Sequence, residues 1–387
     1  MLGNNTLAAI KSARKIVQSL VILGRWDGLV RLVQKDIMQS IGVTSEQHKS
    51  KLAPDGISGS GEGFTAPNGE TVGTFAMRRD SSQNIAILLG TYQGQNYLSE
   101  QLNSFTSQTY SDWDVYASDD GSTDDTLSIL KTSQAEWKNN RLSILSGPGN
   151  GFVANFLSLA CNLEINAAYF AFSDQDDIWK SDKLQRAVDW LKTVPENVPA
   201  LYCTRTQLID ESGKHLGYSP LFTKAPSFPN ALVQSIGGAN TMVFNRAARN
   251  LLREAGDDVD VSSHDCWAYL VVSACGGRVY HDVRPTLLYR QHGGNVYGAN
   301  TGWSARLQRL RMLFDGYLKD WNDRNIKALQ KLRARMTPEN KKIFDSFAIA
   351  RNSWLIPRMV GIWKTGTYRQ GTLDNVGLVL AALFKKI

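Results

Sequence analysis

Asn84-Ile85-Ala86-Ile87-Leu88-Leu89-Gly90-Thr91-Tyr92 holds five consecutive apolar residues closed by a glycine, and it marks an abrupt change in the texture of the chain. A short unbroken apolar run of this kind is typical of a strand buried on both faces, as in a parallel sheet covered by helices. The pattern downstream agrees. Helical spacing runs from Tyr97 to Gln108, from Thr126 to Asn139 and from Gly151 to Leu163, and between these lie strand-like runs at Trp113 to Ala117, Leu142 to Leu145 and Ala168 to Phe172. Strands alternating with helices predict a parallel sheet wound by right-handed crossovers, with ligands at the carboxyl ends of the strands.

Upstream of Asn84 the composition is different. Residues 45–83 are rich in Gly, Ser, Pro and Thr and read as a linker, because so few aliphatic residues cannot bury enough apolar surface to order a chain. Before the linker, residues 1–44 carry apolar positions at helical spacing (Ile10, Ala13, Ile16, Val17, Leu20, Val21, then Leu29 to Ile41) and read as one or two amphipathic helices. Residues 301–387 hold further helical patterns, at Ser304 to Leu318 and Arg324 to Met336, followed by an end rich in Trp and Arg.

At 387 residues and 42% hydrophobic, the chain exceeds one minimal domain, so a large α/β domain with appendages is expected. Four scattered cysteines with no Cys-x-x-Cys pair read as reduced thiols of a cytosolic protein. No apolar stretch approaches the ~20 residues that span a bilayer, and no secretory leader is visible. The net charge of +7 is unevenly spread: +3 over residues 1–83, −7 over 84–299 and +11 over 300–387. A basic tail suits an anionic surface such as the cytoplasmic leaflet, or nucleic acid, although no nucleic-acid recognition motif is present. Its tryptophans, among them Trp303, Trp321, Trp354 and Trp363, suit an interfacial surface and core packing equally. An acidic middle repels a phosphate ligand unless a cation intervenes.

Three polar clusters directly follow predicted strands: Gly90-Thr91-Tyr92, Ser118-Asp119-Asp120-Gly121-Ser122-Thr123-Asp124, and Ser173-Asp174-Gln175-Asp176-Asp177. The second is also what a simple helix-capping turn looks like. The third is harder to explain structurally, since three carboxylates within four residues repel one another unless a cation joins them. Oxygen ligands of this hardness suit Mg²⁺ or Mn²⁺.

In these words and in their order the sequence resembles glycosyltransferase family 2 of the GT-A type, in particular its bacterial rhamnosyltransferase-like members. The resemblance is carried by Ile85–Tyr92, Tyr97–Leu102, Ser118–Thr126, Phe172–Trp179 with Lys183-Leu184, Gly237–Phe244, His264-Asp265 with Trp267, and Tyr289–Asn295, and it covers about residues 84–300. It implies a Rossmann-like GT-A domain with a mostly parallel central sheet at 84–300, flanked by helical N- and C-terminal extensions. It further implies that Thr91 and Tyr92 line a nucleotide pocket, that the Asp119-Asp120 turn reads the base and ribose, and that Asp174 holds the ribose while Asp176 takes the metal.

Asp265 is the implied general base of an inverting transfer; a helix N-cap is the competing role. The commoner Glu of this motif is replaced by His264, expected as an acceptor-side or supporting group, and Gly237, Gly238 and Trp267 are expected on the acceptor side. His292, with Arg290 and two glycines beside it, is expected at metal or phosphate, and Lys183 either near phosphate or as a helix-start residue. The expected enzyme moves a sugar, L-rhamnose from dTDP-rhamnose before other dTDP- or UDP-sugars, to a saccharide or lipid-linked saccharide during bacterial surface polysaccharide assembly. It would work at the cytoplasmic face of the inner membrane, with peripheral contact through the basic tail and no nucleic-acid partner. A metal-dependent nucleotidyltransferase, which would release pyrophosphate, and a non-catalytic nucleotide-sugar-binding scaffold are the alternatives.

Overall fold

The computed structural model describes residues 83–137, 142–293 and 316–387. The expected N-terminal helices at 1–44, nearly all of the linker and the junction at 300/301 lie outside the described residues.

The first strand, β1 (Ile85–Thr91), is almost wholly buried. Its side chains alternate between two cores, Ile85, Ile87 and Leu89 entering one and Ala86 and Leu88 the other. Both faces of the pleat are therefore dry, and that is why the apolar run has no polar alternation. Around it the chain forms β2 (Trp113–Asp119), β3 (Leu142–Ser146), β4 (Tyr169–Ser173), a two-residue β5 (Ile178–Trp179), β6 (Ala200–Thr204), β7 (Gln207–Ile209), β8 (His215–Tyr218), β9 (Val243–Asn245), β10 (Arg278–Asp282) and β11 (Leu287–Arg290). Seven of these make the main sheet in the order β10-β6-β9-β4-β1-β2-β3. Every pairing in it is parallel except those of β9, which runs antiparallel to β4 and β6. A smaller sheet has the order β5-β11-β7-β8.

Helices cover both faces. On one side lie α1 (Leu98–Thr106), α2 (Thr126–Glu136) and α4 (Lys183–Leu191), contributing Leu98, Leu102, Phe105, Leu130, Leu184 and Val188 to the core. On the other lie α3 (Phe152–Cys161), the single turn α5 (Phe228–Ala231), α6 (Arg246–Ala255) and α7 (His264–Ala274). The remaining helices, α8 (Tyr317–Leu329), α9 (Pro338–Asn352), α10 (Leu355–Lys364) and α11 (Thr372–Leu383), join this second core through Leu329, Phe344, Phe347, Ile362 and Leu378. The fold is α/β of the GT-A class, with a helical layer after residue 316.

Two boundaries differ from the sequence pattern for visible reasons. Ser118 and Asp119, expected in a turn, complete β2, because the register that pairs Ile85 with Trp113 continues to Thr91 opposite Asp119. The helical break expected between Leu318 and Arg324 does not occur. One helix crosses it, burying Trp321, and only then tightens to a 3₁₀ segment at Gln330–Arg335. Trp321 is therefore core, whereas Trp354 and Trp363 are 67% and 58% exposed.

Candidate active site

Strands β4, β1 and β2 lie side by side and end level, with Leu89 opposite Ser173 and Thr91 opposite Asp119. The three polar clusters thus meet at one sheet edge, in the crevice outside the carboxyl ends where α/β sheets take ligands. The small sheet adds a fourth wall. Since β5 pairs with β11, placing Trp179 opposite Leu287, the acidic loop before β5 is laid against the residues that follow β11.

The outcome is a close pair, His292 Nε2 standing 2.8 Å from Asp176 Oδ2. Both side chains retain some exposure and line a cavity of about 380 Å³ together with Gln93, Gly94, Asn96, Tyr97, Gln175, Glu211 and Gly293. Tyr97 presents its ring to His292 at 5.1 Å. Two neighbouring ligands of one octahedral ion sit about 3 Å apart, so Asp176 and His292 fit a shared Mg²⁺ or Mn²⁺. Among the described residues no three His, Cys, Asp or Glu side chains gather into a closed cage. An open set of this kind suits Mg²⁺, which usually completes its shell with water and substrate phosphate oxygens.

The neighbouring carboxylates carry the strain of this clustering. Asp174 is pushed up to about 8, first by burial and then by the charges of Asp176 and Asp265. Asp177, buried at the base of the loop, is also held well above the ordinary carboxylate range by burial and by Asp176 and Asp174. It accepts hydrogen bonds from Asn240 Nδ2 at 2.5 Å and from the Arg290 backbone N–H at 3.3 Å, so it braces the loop instead of facing the cavity.

Gln175, unremarked between the aspartates, clamps the first and third clusters together. Its Oε1 accepts from the Tyr92 N–H at 2.9 Å while its Nε2 donates to the Tyr92 carbonyl at 2.7 Å. The clamp explains Gly94, where a Cβ would fall 2.2 Å from Gln175 Oε1. Gly94→Ala is expected to push the amide off Tyr92 and lower unfolding stability by about 1–3 kcal/mol. Urea denaturation checks this, and an unshifted midpoint would show the clamp to be dispensable.

In the second cluster both carboxylates build the turn. Asp119 accepts from the N–H groups of Gly121 and Ser122 and from the hydroxyls of Thr91 and Ser122, while Asp120 accepts from the N–H groups of Gly149 at 2.7 Å and Gly151 at 2.8 Å. Tyr92 stands at the rim, 57% exposed.

Asp265 lies at the first turn of α7, where its Oδ1 accepts from the Cys266 N–H at 2.7 Å and from the Ser263 hydroxyl. Ser235 Oγ lies 3.5 Å from Oδ2 and also donates to the Gly237 carbonyl. Burial raises this carboxyl to about 6. The exposed Gly238 and the half-buried Gly237 run on into the 3₁₀ turn Ala239–Thr241, whose Asn240 reaches Asp177. Asp265 and the acidic loop are in this way connected through one short segment.

Four expected contacts are corrected by burial. Arg290, expected at diphosphate, is 2% exposed. Its guanidinium donates to the Asp176 carbonyl, the Glu211 carbonyl and the Glu100 carboxylate and stacks over Tyr97, so it frames the site from beneath. Lys183 is fully buried; its Nζ donates to the Asn240 carbonyl and sits over the Trp179 ring, and burial draws it down to about 7. Trp267 is wholly buried in the core and cannot meet an acceptor. His264 is buried too, stacked on Phe156 at 4.1 Å and held neutral, its pKa lowered by burial to about 3. It supports the start of α7 from inside.

A sheet edge where acidic loops converge, with an Asp-x-Asp pair on one side and a desolvated carboxylate at a helix start on the other, is the arrangement that the resemblance to GT-A sugar transferases implies. The comparisons agree. Residues 86–250 match the model of the family described as Glycosyl transferase family 2. The dTDP-rhamnosyl transferase RfbG of Shigella flexneri is 30% identical over 234 residues, which are 58% of this chain and 78% of that protein. The uncharacterized glycosyltransferase alr2836 of Nostoc sp. is 33% identical over 112 residues, 28% of this chain and 33% of that protein. The crystal structure of S. aureus TarS 1-349 is 12% identical with a TM-score of 0.45, covering 79% of this chain and 89% of that one. The chain belongs to glycosyltransferase family 2, and it is a glycosyltransferase.

Proposed function

We propose that the protein is an inverting transferase that moves a sugar from a nucleoside diphosphate donor to a saccharide or lipid-linked saccharide acceptor in bacterial surface polysaccharide synthesis. The observation that carries this is the cavity beyond the carboxyl ends of β1 and β4, where Asp176 pairs with His292 at 2.8 Å, with Asp174 near enough to Asp176 and Asp265 for their charges to act on it. The nucleotide lies along Thr91, Tyr92 and the Asp119-Asp120 turn, the ribose at Asp174, and the diphosphate at Asp176 and His292. A Mg²⁺ or Mn²⁺ ion held by the last two would neutralise charge on the departing diphosphate.

Asp265 accepts the proton of the acceptor hydroxyl as that oxygen bonds to the anomeric carbon. The bond from that carbon to the diphosphate oxygen breaks, and the nucleoside diphosphate leaves with the electron pair. A single displacement from the face opposite the leaving group inverts the centre. The glycines of the neighbouring segment serve its close packing, since a Cβ would fall 3.0 Å from Thr241 Oγ1 at Gly237 and 2.8 Å from Asn240 Oδ1 at Gly238.

The donor supported best is dTDP-L-rhamnose, on the likeness to the dTDP-rhamnosyl transferase of S. flexneri. Incubating the protein with a panel of dTDP- and UDP-sugars, an acceptor and Mn²⁺ tests the proposal: nucleoside diphosphate release is expected, fastest with dTDP-rhamnose. Pyrophosphate release would make it a nucleotidyltransferase, and nucleotide binding without turnover a scaffold.

The rate should also depend on pH with a definite sign. Only the ionised carboxylate of Asp265 takes a proton, and with its pKa raised to about 6 the rate is expected to climb as pH rises through about 6 and to level off above it. A rate flat from pH 5 to pH 8 would remove Asp265 from the reaction.

A further inference from the structure

The helices after residue 316 bury one side in the core and leave the other unusually apolar. Of the seventeen large apolar side chains exposed among the described residues, eight fall between Ile349 and Phe384. They are arranged, not scattered. Ile356, the half-buried Val360 and Trp363 recur at helical spacing along α10, next to the exposed Trp354 and Leu355. On α11 the series is the exposed Leu373, the half-buried Leu380 and the exposed Phe384, while Leu378, Ala381 and Ala382 point into the core.

Each helix closes on an exposed aromatic followed at once by an exposed lysine, Trp363-Lys364 and Phe384-Lys385. Residues 349–387 carry six Lys or Arg against a single Asp. Aromatic and aliphatic side chains edged by lysines form an interfacial surface, the rings settling at headgroup level and the ammonium groups at lipid phosphate. A protein partner covering so apolar a face would not need the lysines at both helix ends; an anionic bilayer uses both features.

The placement of this face suits a substrate held at a membrane. The loop between α10 and α11 is fastened to the segment that leads to Ser235: Tyr368 Oη donates to the Ala225 carbonyl at 2.6 Å, Asn230 Nδ2 to the Tyr368 carbonyl at 2.9 Å, and the Gln370 N–H to Gln234 Oε1 at 2.7 Å. Ser235 in turn lies against Asp265.

We propose that the exposed face of α10 and α11 docks on an anionic phospholipid bilayer, seating Trp354, Ile356, Trp363, Leu373 and Phe384 at the acyl boundary with Lys364 and Lys385 on lipid phosphate. Docking itself does not depend on the transfer chemistry; only its use in meeting a lipid-linked acceptor rests on the function proposed above.

The test is flotation of the full chain with phosphatidylcholine vesicles, with and without phosphatidylglycerol. Binding to the phosphatidylglycerol vesicles is expected, about tenfold or more above phosphatidylcholine alone. Ile356→Ser with Trp363→Ser, both exposed positions, is expected to weaken it about tenfold or more, and Lys364→Glu with Lys385→Glu to remove the preference for phosphatidylglycerol. Vesicle binding unchanged in both double variants would overturn the proposal, as would its absence in the unmodified chain. A lipid-free dimer that the Ser variants dissociate would also overturn it, by making a second copy the occupant. Nucleoside diphosphate binding, measured without lipid, is expected to be the same in all of these proteins, so the outcome is separable from that of the transferase proposal.

Discussion

Asp265→Asn is expected to lower the rate of nucleoside diphosphate release by about two to four orders of magnitude, the range a positioned general base contributes. The substitution isolates the proton transfer. Asn keeps the size of the side chain, and its carbonyl oxygen can still accept from the Cys266 N–H and the Ser263 hydroxyl that hold Asp265 now. Removing a buried charge at this position costs the fold nothing electrostatically, since burial already disfavours the ionised form. The N-capping alternative makes the opposite forecast, because a purely capping carboxylate replaced by Asn would alter stability by a few tenths to about 1 kcal/mol and leave turnover nearly intact. Donor binding by titration calorimetry and the initial rate of release, measured on the same preparation, distinguish the two. Retained affinity with lost turnover assigns the base; near-normal turnover returns Asp265 to a structural role in the first turn of α7, whose N-cap position is Ser263.

The contrast between Asp265 and its neighbours shows what the sequence could and could not convey. β1 was legible because burial on both faces leaves a direct trace, an apolar run with no polar alternation, and the acidic loop was legible because repelling carboxylates need a reason to be adjacent. The shared sheet edge followed from the βα alternation. What escaped was direction. Arg290 and His292 are two residues apart, yet one guanidinium is buried beneath the site and the other side chain lines the cavity. That choice is made by the pairing of β11 with β5 and β7, contacts spanning tens to over a hundred residues that leave no local pattern. Lys183 misleads for the same reason, since a lysine at a helix start is usually solvated and this one is covered by Trp179 and Asn240. Gln175 had a faint signal, as the one neutral residue inside an otherwise acidic stretch, and Gly94 had none until its missing Cβ was set against that amide. Glu211, on the cavity wall from the turn after β7, carries no sequence cue at all.

The pairing of Asp176 with His292 leads to the second large effect. If these side chains share a divalent cation with the donor diphosphate, Asp176→Asn removes the only anionic ligand of the pair, and affinity for nucleoside diphosphate in the presence of Mn²⁺ is expected to fall by about two to three orders of magnitude, consistent with several kcal/mol of metal-borne charge stabilisation. His292→Gln, which keeps a neutral donor but changes its reach, is expected to cost about tenfold. Chelation by EDTA should reduce the unmodified protein to the affinity of Asp176→Asn and leave that variant unchanged, and this equivalence is the sharpest consequence of a shared metal. A pair serving only the fold would behave differently: both variants would lower the unfolding midpoint, and EDTA would act equally on all three proteins or on none. Calorimetric titration of the nucleotide with and without Mn²⁺, beside urea unfolding of each variant, reads both quantities. Nucleotide affinity in Asp176→Asn that still responds fully to Mn²⁺ would place the ion elsewhere.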